Sequence, residues 1–290
     1  MYIYVNGEYV KPEDAQISIF DHGFMYGLGV FETFRIYDGH PFLVDDHFHR
    51  LSRSLEQLSV QWNWNKDDIL GVLNTLIEKN NLQNAYVRWN VSAGVGPLGL
   101  QIDPYEKPST IVYVKPIPES MSTVKRGVIL KTERNTPEGN ERLKSHHYLN
   151  NIIGKKEIGS DPNVEGIFLT KEGFLAEGIV SNLFWVKDNI VYTPTVKTGI
   201  LNGVTRQFIM ALLHQLGIEC KEGYYESVEL YKADEAFVTN SIQEVVSLSE
   251  VDGKTNYNSL TSLSAKLQKH YSILRKQLNS RNELYKKELS

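Results

Sequence analysis

Apolar and polar positions recur along the chain with the two periods of strand and helix, and turn residues separate the runs. Residues 2–5, the pair Asn6-Gly7 and residues 8–10 read as a β-hairpin, because Asn-Gly suits the left-handed turn that joins two twisted strands. A second hairpin is predicted for residues 30–37 and 40–44 around Asp38-Gly39. Side chains alternate across a strand, so Phe31, Thr33, Arg35 and Tyr37 share one face while Glu32, Phe34 and Ile36 share the other. Asp45 can cap a helix in which Phe48, Leu51, Leu55 and Leu58 step by three and four. Another helix fits residues 66–79, with strands at 85–93 and 110–115.

Prolines at 116 and 118 interrupt regular pairing, so residues 115–122 read as a linker. The expected organisation is a smaller N-terminal α/β domain at 1–117, a linker at 118–124 and a larger C-terminal domain at 125–290. Beyond the linker, strands are predicted near 127–132, 166–169, 182–186 and 190–192, then a helix at 205–216 and a strand at 236–239. From residue 260 onward the pattern is helical and strongly charged toward its end.

With 290 residues, 41% of them apolar, the chain can bury one large core or two modest ones. A net charge of −4 gives no general reason to bind nucleic acid or anionic lipid. Cys220 is the single cysteine and cannot form an internal disulfide, the first residues lack a basic-then-apolar leader, and no apolar run approaches the ~20 residues of a membrane span. A cytoplasmic protein acting on a small molecule, without nucleic-acid or membrane partners, is expected.

Two motifs fail. Gly94-Val-Gly-Pro-Leu-Gly99 matches a dinucleotide fingerprint in letters, but Pro97, Pro104 and Pro108 oppose the helix that would have to open there. His146 and His147 are adjacent and diverge on any regular element, and Asp45 with His49 lacks a third ligand at a metal-binding spacing, so no metal is expected.

Six blocks, in order over most of the chain, carry a resemblance. They are Phe20-Asp-His-Gly-Phe-Met-Tyr-Gly-Leu-Gly-Val-Phe-Glu-Thr-Phe-Arg35, Asp46-His-Phe-His-Arg-Leu51 and Arg142-Leu-Lys-Ser-His-His-Tyr-Leu-Asn150. Ala176-Glu-Gly-Ile-Val-Ser-Asn-Leu-Phe-Trp185, Gly199-Ile-Leu-Asn-Gly-Val-Thr-Arg206 and Ala233-Asp-Glu-Ala-Phe-Val-Thr-Asn-Ser241 complete the set. Together they resemble the fold-type IV pyridoxal 5′-phosphate (PLP) enzymes: branched-chain aminotransferases, D-amino-acid aminotransferases and 4-amino-4-deoxychorismate lyases. The resemblance implies a two-domain α/β fold with a barrel-like sheet in the larger domain, PLP as cofactor, and a homodimer. It implies that Lys144 bonds the cofactor aldehyde and later carries a proton, that Glu177 partners the ring nitrogen, and that Arg50, Val204, Thr205, Asn240 and Ser241 hold the phosphate.

Among the three activities, the stretch from Ser92 to Gln101 lacks the Arg-x-His pair of D-amino-acid aminotransferases, and Thr239-Asn-Ser241 stands where branched-chain enzymes typically carry Gly-Thr-Ala. The combination resembles aminodeoxychorismate lyases of the Bacillus type, which implies formation of 4-aminobenzoate and pyruvate for folate synthesis. Thr33 then matches the proton donor to the leaving group, and Phe31, Arg35 and Arg88 are the candidate substrate contacts. Transamination on the same scaffold, or a PLP-free binding homologue, are the alternatives.

Overall fold

The structure, a computed structural model, describes residues 1–118, 122–254, 257 and 262–286. Residues 119–121 of the expected linker, and 260, 261 and 287–290 of the expected helical tail, lie outside the described residues. The chain divides into two units, each built around its own sheet.

The first unit comprises Met1–Glu119, Leu143–His147 and Arg275–Ser280. Its elements are β1 (Ile3–Val5), β2 (Glu8–Val10), α1 (His22–Tyr26), β3 (Gly29–Tyr37), β4 (His40–Pro41), α2 (Val44–Gln57), α3 (Lys66–Lys79), β5 (Ala85–Ser92) and β6 (Ser109–Pro116). The strands form an antiparallel sheet in the order β2-β1-β6-β5-β3-β4. Both predicted hairpins form. At their turns Asn6 and Gly7 take φ of 47° and 105°, and Asp38 and Gly39 take 49° and 82°, the left-handed pair such turns demand. One face of the sheet, with Val30, Phe34, Ile36, Val87, Trp89 and Val91, packs in a single core with Leu51, Leu55, Leu73 and Leu76 of α2 and α3.

Helix α3 begins as its sequence predicts, with Asn65 and Asp68 forming a reciprocal capping box. Helix α2 does not. Val44 belongs to the helix rather than to a strand, and the N-cap is Leu43 at φ 54° instead of Asp45. Backbone carbonyls of Leu278 and Asn279 accept the Leu43 and Asp45 N–H groups, so the chain's C-terminal segment supplies what a capping side chain would. Asp45 pairs with Lys66 at 2.7 Å instead. No helix opens after Gly94, whose backbone sits so close to the Lys107 carbonyl that a side chain there would clash.

The second unit comprises Ser120–Arg142, Tyr148–Leu274 and Arg281–Ser290. It contains β7 (Val124–Ile129), α4 (Leu149–Ile158), β8 (Val164–Leu169), β9 (Leu175–Gly178), β10 (Asn182–Lys187), β11 (Ile190–Pro194), α5 (Val204–Gln215), β12 (Cys220–Gly223), α6 (Ser227–Tyr231), β13 (Glu235–Asn240), β14 (Glu244–Val251) and α7 (Leu263–Leu274). Eight strands run in the order β12-β11-β10-β13-β14-β7-β8-β9, and the sheet curls like a barrel so that its terminal strand β9 also meets β10. Ile167, Leu183, Trp185, Val238, Val246 and Leu248 belong to one apolar cluster of this unit. The fold is thus mixed α/β with the larger, barrel-like sheet in the C-terminal part. Among the described residues no helix is long and apolar enough to cross a membrane.

Candidate active site

In the first unit the chemistry gathers on the face of β3 turned away from the helices. Thr33 stands opposite Arg88 in the register, and Phe31 opposite Asn90. The Arg88 guanidinium carbon lies 3.6 Å from the centroid of the Phe31 ring, and Lys144 Nζ lies 4.7 Å from it. Lys144 reaches this position because its segment runs along the start of β3. Phe31 N–H donates to the Lys144 carbonyl at 2.9 Å, His146 N–H donates to the Gly29 carbonyl at 3.0 Å, and Ser145 bridges to Val30. Alternation across that short ladder turns Lys144 and His146 to the same side as Phe31.

His146 occupies the room that a side chain at Gly29 would fill, since a Cβ there would meet its Cε1 at 2.3 Å. Asn90 Oδ1 faces the Arg88 guanidinium at 3.4 Å, and a guanidinium only donates, so His146 Nε2, 3.1 Å from the same oxygen, must donate as well. Burial, and then the Arg88 charge, lower the His146 pKa to about 4, which keeps the ring neutral near pH 7. Arg35 shares the strand face but not this grouping. Its guanidinium stacks on Tyr37 at 4.6 Å, beside Arg275 on the same ring at 4.7 Å.

Arg50 is half-buried on α2, where its Nε and Nη2 fork onto the two carboxylate oxygens of Glu32 at 2.6 and 2.7 Å. His47 Nδ1 lies 2.7 Å from the same carboxylate. Glu32 is fully buried, and burial raises its pKa. The Arg50 charge above all, with hydrogen bonds from Arg50 and His47, outweighs that and holds the carboxyl at about 2, while burial lowers the pKa of His47 itself.

The second unit carries a carboxylate and a hydroxyl cradle. Glu177, 4% exposed at the end of β9, accepts from Arg134 Nε at 2.8 Å and from the Leu201 N–H at 3.0 Å. Arg142 Nε stands 3.9 Å away, and burial followed by the neighbouring Arg134 charge lowers the Arg142 pKa to about 10. Helix α5 opens at Val204 with Gly203 as N-cap and no capping side chain, leaving first-turn N–H groups for an outside acceptor. A Cβ on Gly203 would lie 2.1 Å from Asn182 Oδ1, so a side chain there would displace the Asn182 amide. Thr205 Oγ1 and Ser241 Oγ are 3.1 Å apart. The Asn240 side chain is committed to its own turn, where Oδ1 accepts from the Ile242 and Gln243 N–H groups.

Comparison with known proteins gives this arrangement its context. The family model for amino-transferase class IV matches residues 29–251. The chain belongs to this family. The class IV chain is 50% identical over 260 residues to aminodeoxychorismate lyase of Bacillus subtilis, covering 89% of this chain and 88% of that protein. It is 29% identical over 253 residues to D-alanine aminotransferase of Staphylococcus epidermidis, covering 87% and 89%. The crystal structure of the Escherichia coli branched-chain amino acid aminotransferase superposes with a TM-score of 0.83 at 29% identity, covering 94% of each chain.

The candidate residues therefore distribute over both units: Phe31, Thr33, Arg88 and Lys144 come together in the first, and Thr205 with Ser241 in the second. Sequence reasoning missed Glu32, His146 and Arg134. Only the alternation that sets Glu32 on the face opposite Thr33 hints at its role, and Arg134 lies 43 positions before Glu177 with no motif of its own.

Proposed function

We propose that this chain is a PLP-dependent aminodeoxychorismate lyase, breaking a carbon–oxygen bond of 4-amino-4-deoxychorismate to release pyruvate and 4-aminobenzoate in folate synthesis. The observation that carries it is the 50% identity, over 89% of the chain, to the Bacillus subtilis lyase.

The donors fit the cofactor. Lys144 offers the amine that an aldehyde needs, and Glu177 a buried carboxylate, oriented by Arg134 and the Leu201 N–H, for the ring nitrogen. Val204 and Thr205 at the start of α5, with Ser241 and the Arg50 guanidinium, supply N–H, hydroxyl and charged donors for the phosphate, while Asn240 shapes the turn that presents Ser241. When bound, PLP supplies a ring that accepts electrons from the carbon bearing the substrate amine.

The chain's own groups do the rest. Lys144 Nζ would hold the aldehyde, and the same amine is the base for the proton on the amine-bearing carbon. The Thr33 hydroxyl gives a proton to the departing enolpyruvyl oxygen. The carbon–oxygen bond breaks, the ring becomes aromatic, and the amine stays on the product, so no keto-acid acceptor is required. Arg88, stacked on Phe31 beside Lys144, reads a substrate carboxylate; Arg35, stacked on Tyr37, is the less suited of the two. Replacing Arg88 by glutamine is expected to raise KM by roughly 10- to 100-fold, the worth of a charge-assisted hydrogen bond, whereas Arg35→Gln changes it by less than about threefold. Steady-state kinetics on the two variants reverse the assignment if Arg35 shows the larger effect.

We also propose that the protein is cytoplasmic and works as a homodimer. Burial raises the thiol pKa of Cys220 to about 11, which leaves it a poor nucleophile. Exposed Ile19, Phe20 and Phe24 lie on a segment bonded to the one that carries exposed Val95 and Leu98, an apolar patch suited to a second copy.

The deciding assay offers aminodeoxychorismate without any keto acid and follows fluorescent aminobenzoate and pyruvate, expected in equal amounts. A parallel reaction offers D-alanine or L-leucine with 2-oxoglutarate. Rapid transamination without aminobenzoate would reject the lyase.

A further inference from the structure

Inside the second unit lies a charge pair that the reaction above does not use. Lys125 on β7 and Glu165 on β8 are 7% and 3% exposed, and Lys125 Nζ donates to Glu165 Oε2 at 3.0 Å. Replacing such a buried pair with apolar side chains is often neutral or stabilising, so stability alone gives no reason for charges here. What the pair touches does. Glu165 Oε1 accepts from the Ser181 hydroxyl at 2.8 Å, and a Cβ on Gly178 would lie 2.5 Å from that same oxygen. The carboxylate is therefore packed directly under the Gly178–Ser181 turn, which begins at the residue after Glu177 and closes through Gly178 N–H to the Ser181 carbonyl at 2.8 Å.

At its other end Lys125 Nζ donates to Gln243 Oε1 at 3.2 Å. An ammonium only donates, which fixes the Gln243 carbonyl toward it, and Asn240 Nδ2 donates to the same oxygen at 3.2 Å. Asn240 Oδ1 in turn holds the Ile242 and Gln243 N–H groups, shaping the turn that carries Ser241. One unbroken hydrogen-bonded chain thus runs from the turn behind Glu177, through Ser181, Glu165, Lys125 and Gln243, to Asn240.

We propose that the Lys125–Glu165 pair is a strut that sets the spacing between the ring-nitrogen carboxylate at Glu177 and the phosphate loop at Asn240–Ser241, making both residues positioning residues for the cofactor. The inference rests on the PLP reading of the site. Its consequence is specific: a ligand that engages both ends feels the strut, and one that engages a single end does not. Pyridoxal, which lacks the phosphate, is that single-ended ligand.

The test titrates PLP and pyridoxal into the full-length K125M/E165M variant and the unaltered protein, following absorbance, with circular dichroism as the check of folding. The PLP dissociation constant should rise about tenfold or more, as when outer partners of ligating groups are removed, while that for pyridoxal changes less than about threefold. Ser241→Ala provides the scale for losing a phosphate contact alone. Should the double variant not fold, Glu165→Gln, which keeps the side chain's shape, reads the same ratio. Equal weakening of both ligands would mean a general structural role and overturn the strut, as would unchanged PLP affinity. Failure of the unaltered protein to bind either ligand would instead remove the cofactor reading, and the strut with it.

Discussion

Lys144→Ala lowers turnover by about 10⁴-fold or more and leaves the fold in place. The size follows from the two tasks proposed for one amine, anchoring the aldehyde and carrying the proton, since positioned proton transfer alone contributes on the order of 10²–10⁴ in comparable sites. The fold survives because the segment is held by its backbone: the Lys144 carbonyl accepts from Phe31 N–H, and His146 N–H donates to Gly29. Truncation removes, among other contacts, the ammonium's approach to the Phe31 ring at 4.7 Å, worth about 0.5–1 kcal/mol at a partly exposed site. Steady-state rates, circular dichroism and the mass of borohydride-treated protein check it together. The unaltered chain should gain a cofactor-sized adduct on the peptide containing Lys144, and the variant none. A variant retaining more than about 1% of the rate would show that another group moves the proton.

Glu32→Gln has the largest expected effect on stability. Removing one member of a buried ion pair costs about 3 kcal/mol or more, since the Arg50 guanidinium and the His47 ring keep their place without the counter-charge. The same carboxylate makes the protein sensitive to acid, with a definite sign. Its pKa is about 2 in the fold against a reference value of 4.5, so its contribution, about 3 kcal/mol, is present in full above pH 4.5. It is lost as pH falls from 4.5 toward 2, because protonation then favours the unfolded chain. Urea unfolding of the unaltered protein should show that acid-dependent loss, and the glutamine variant should be weaker at pH 7 with a flatter profile in this window. Equal slopes for the two proteins would assign the acid sensitivity to other groups.

Elements with a local signature were legible. Helix α3 forms over the predicted residues 66–79, and both Asn-Gly and Asp-Gly turns form where they stand. Helix α2 started elsewhere than Asp45 because its first N–H groups are satisfied by carbonyls more than two hundred positions later, which no sequence window contains. Helix α4 was not predicted, since it buries only Asn151 and Gly154 and so has no apolar stripe to read. For the site, the resemblance marked Lys144, Glu177, Arg50, Thr205 and Ser241, all residues with chemistry of their own. The residues around them, Glu32 under Arg50, Arg134 on Glu177 and the pair Asn90 and His146, were invisible because their meaning lies in partners that only folding brings close.

The lysine-bearing stretch clusters with the first unit, although the residues on both sides of it, Arg142 and Tyr148, belong to the second. A gene cut in the stretch near position 119 would therefore leave Lys144 on a different fragment from the strand it pairs beside. The anterior piece would keep the Phe31 ring but lose what rests on it, and the posterior piece would carry a short ladder with nothing to zip against. Halves expressed separately would each lack one side of the ladder that 143–147 forms with β3.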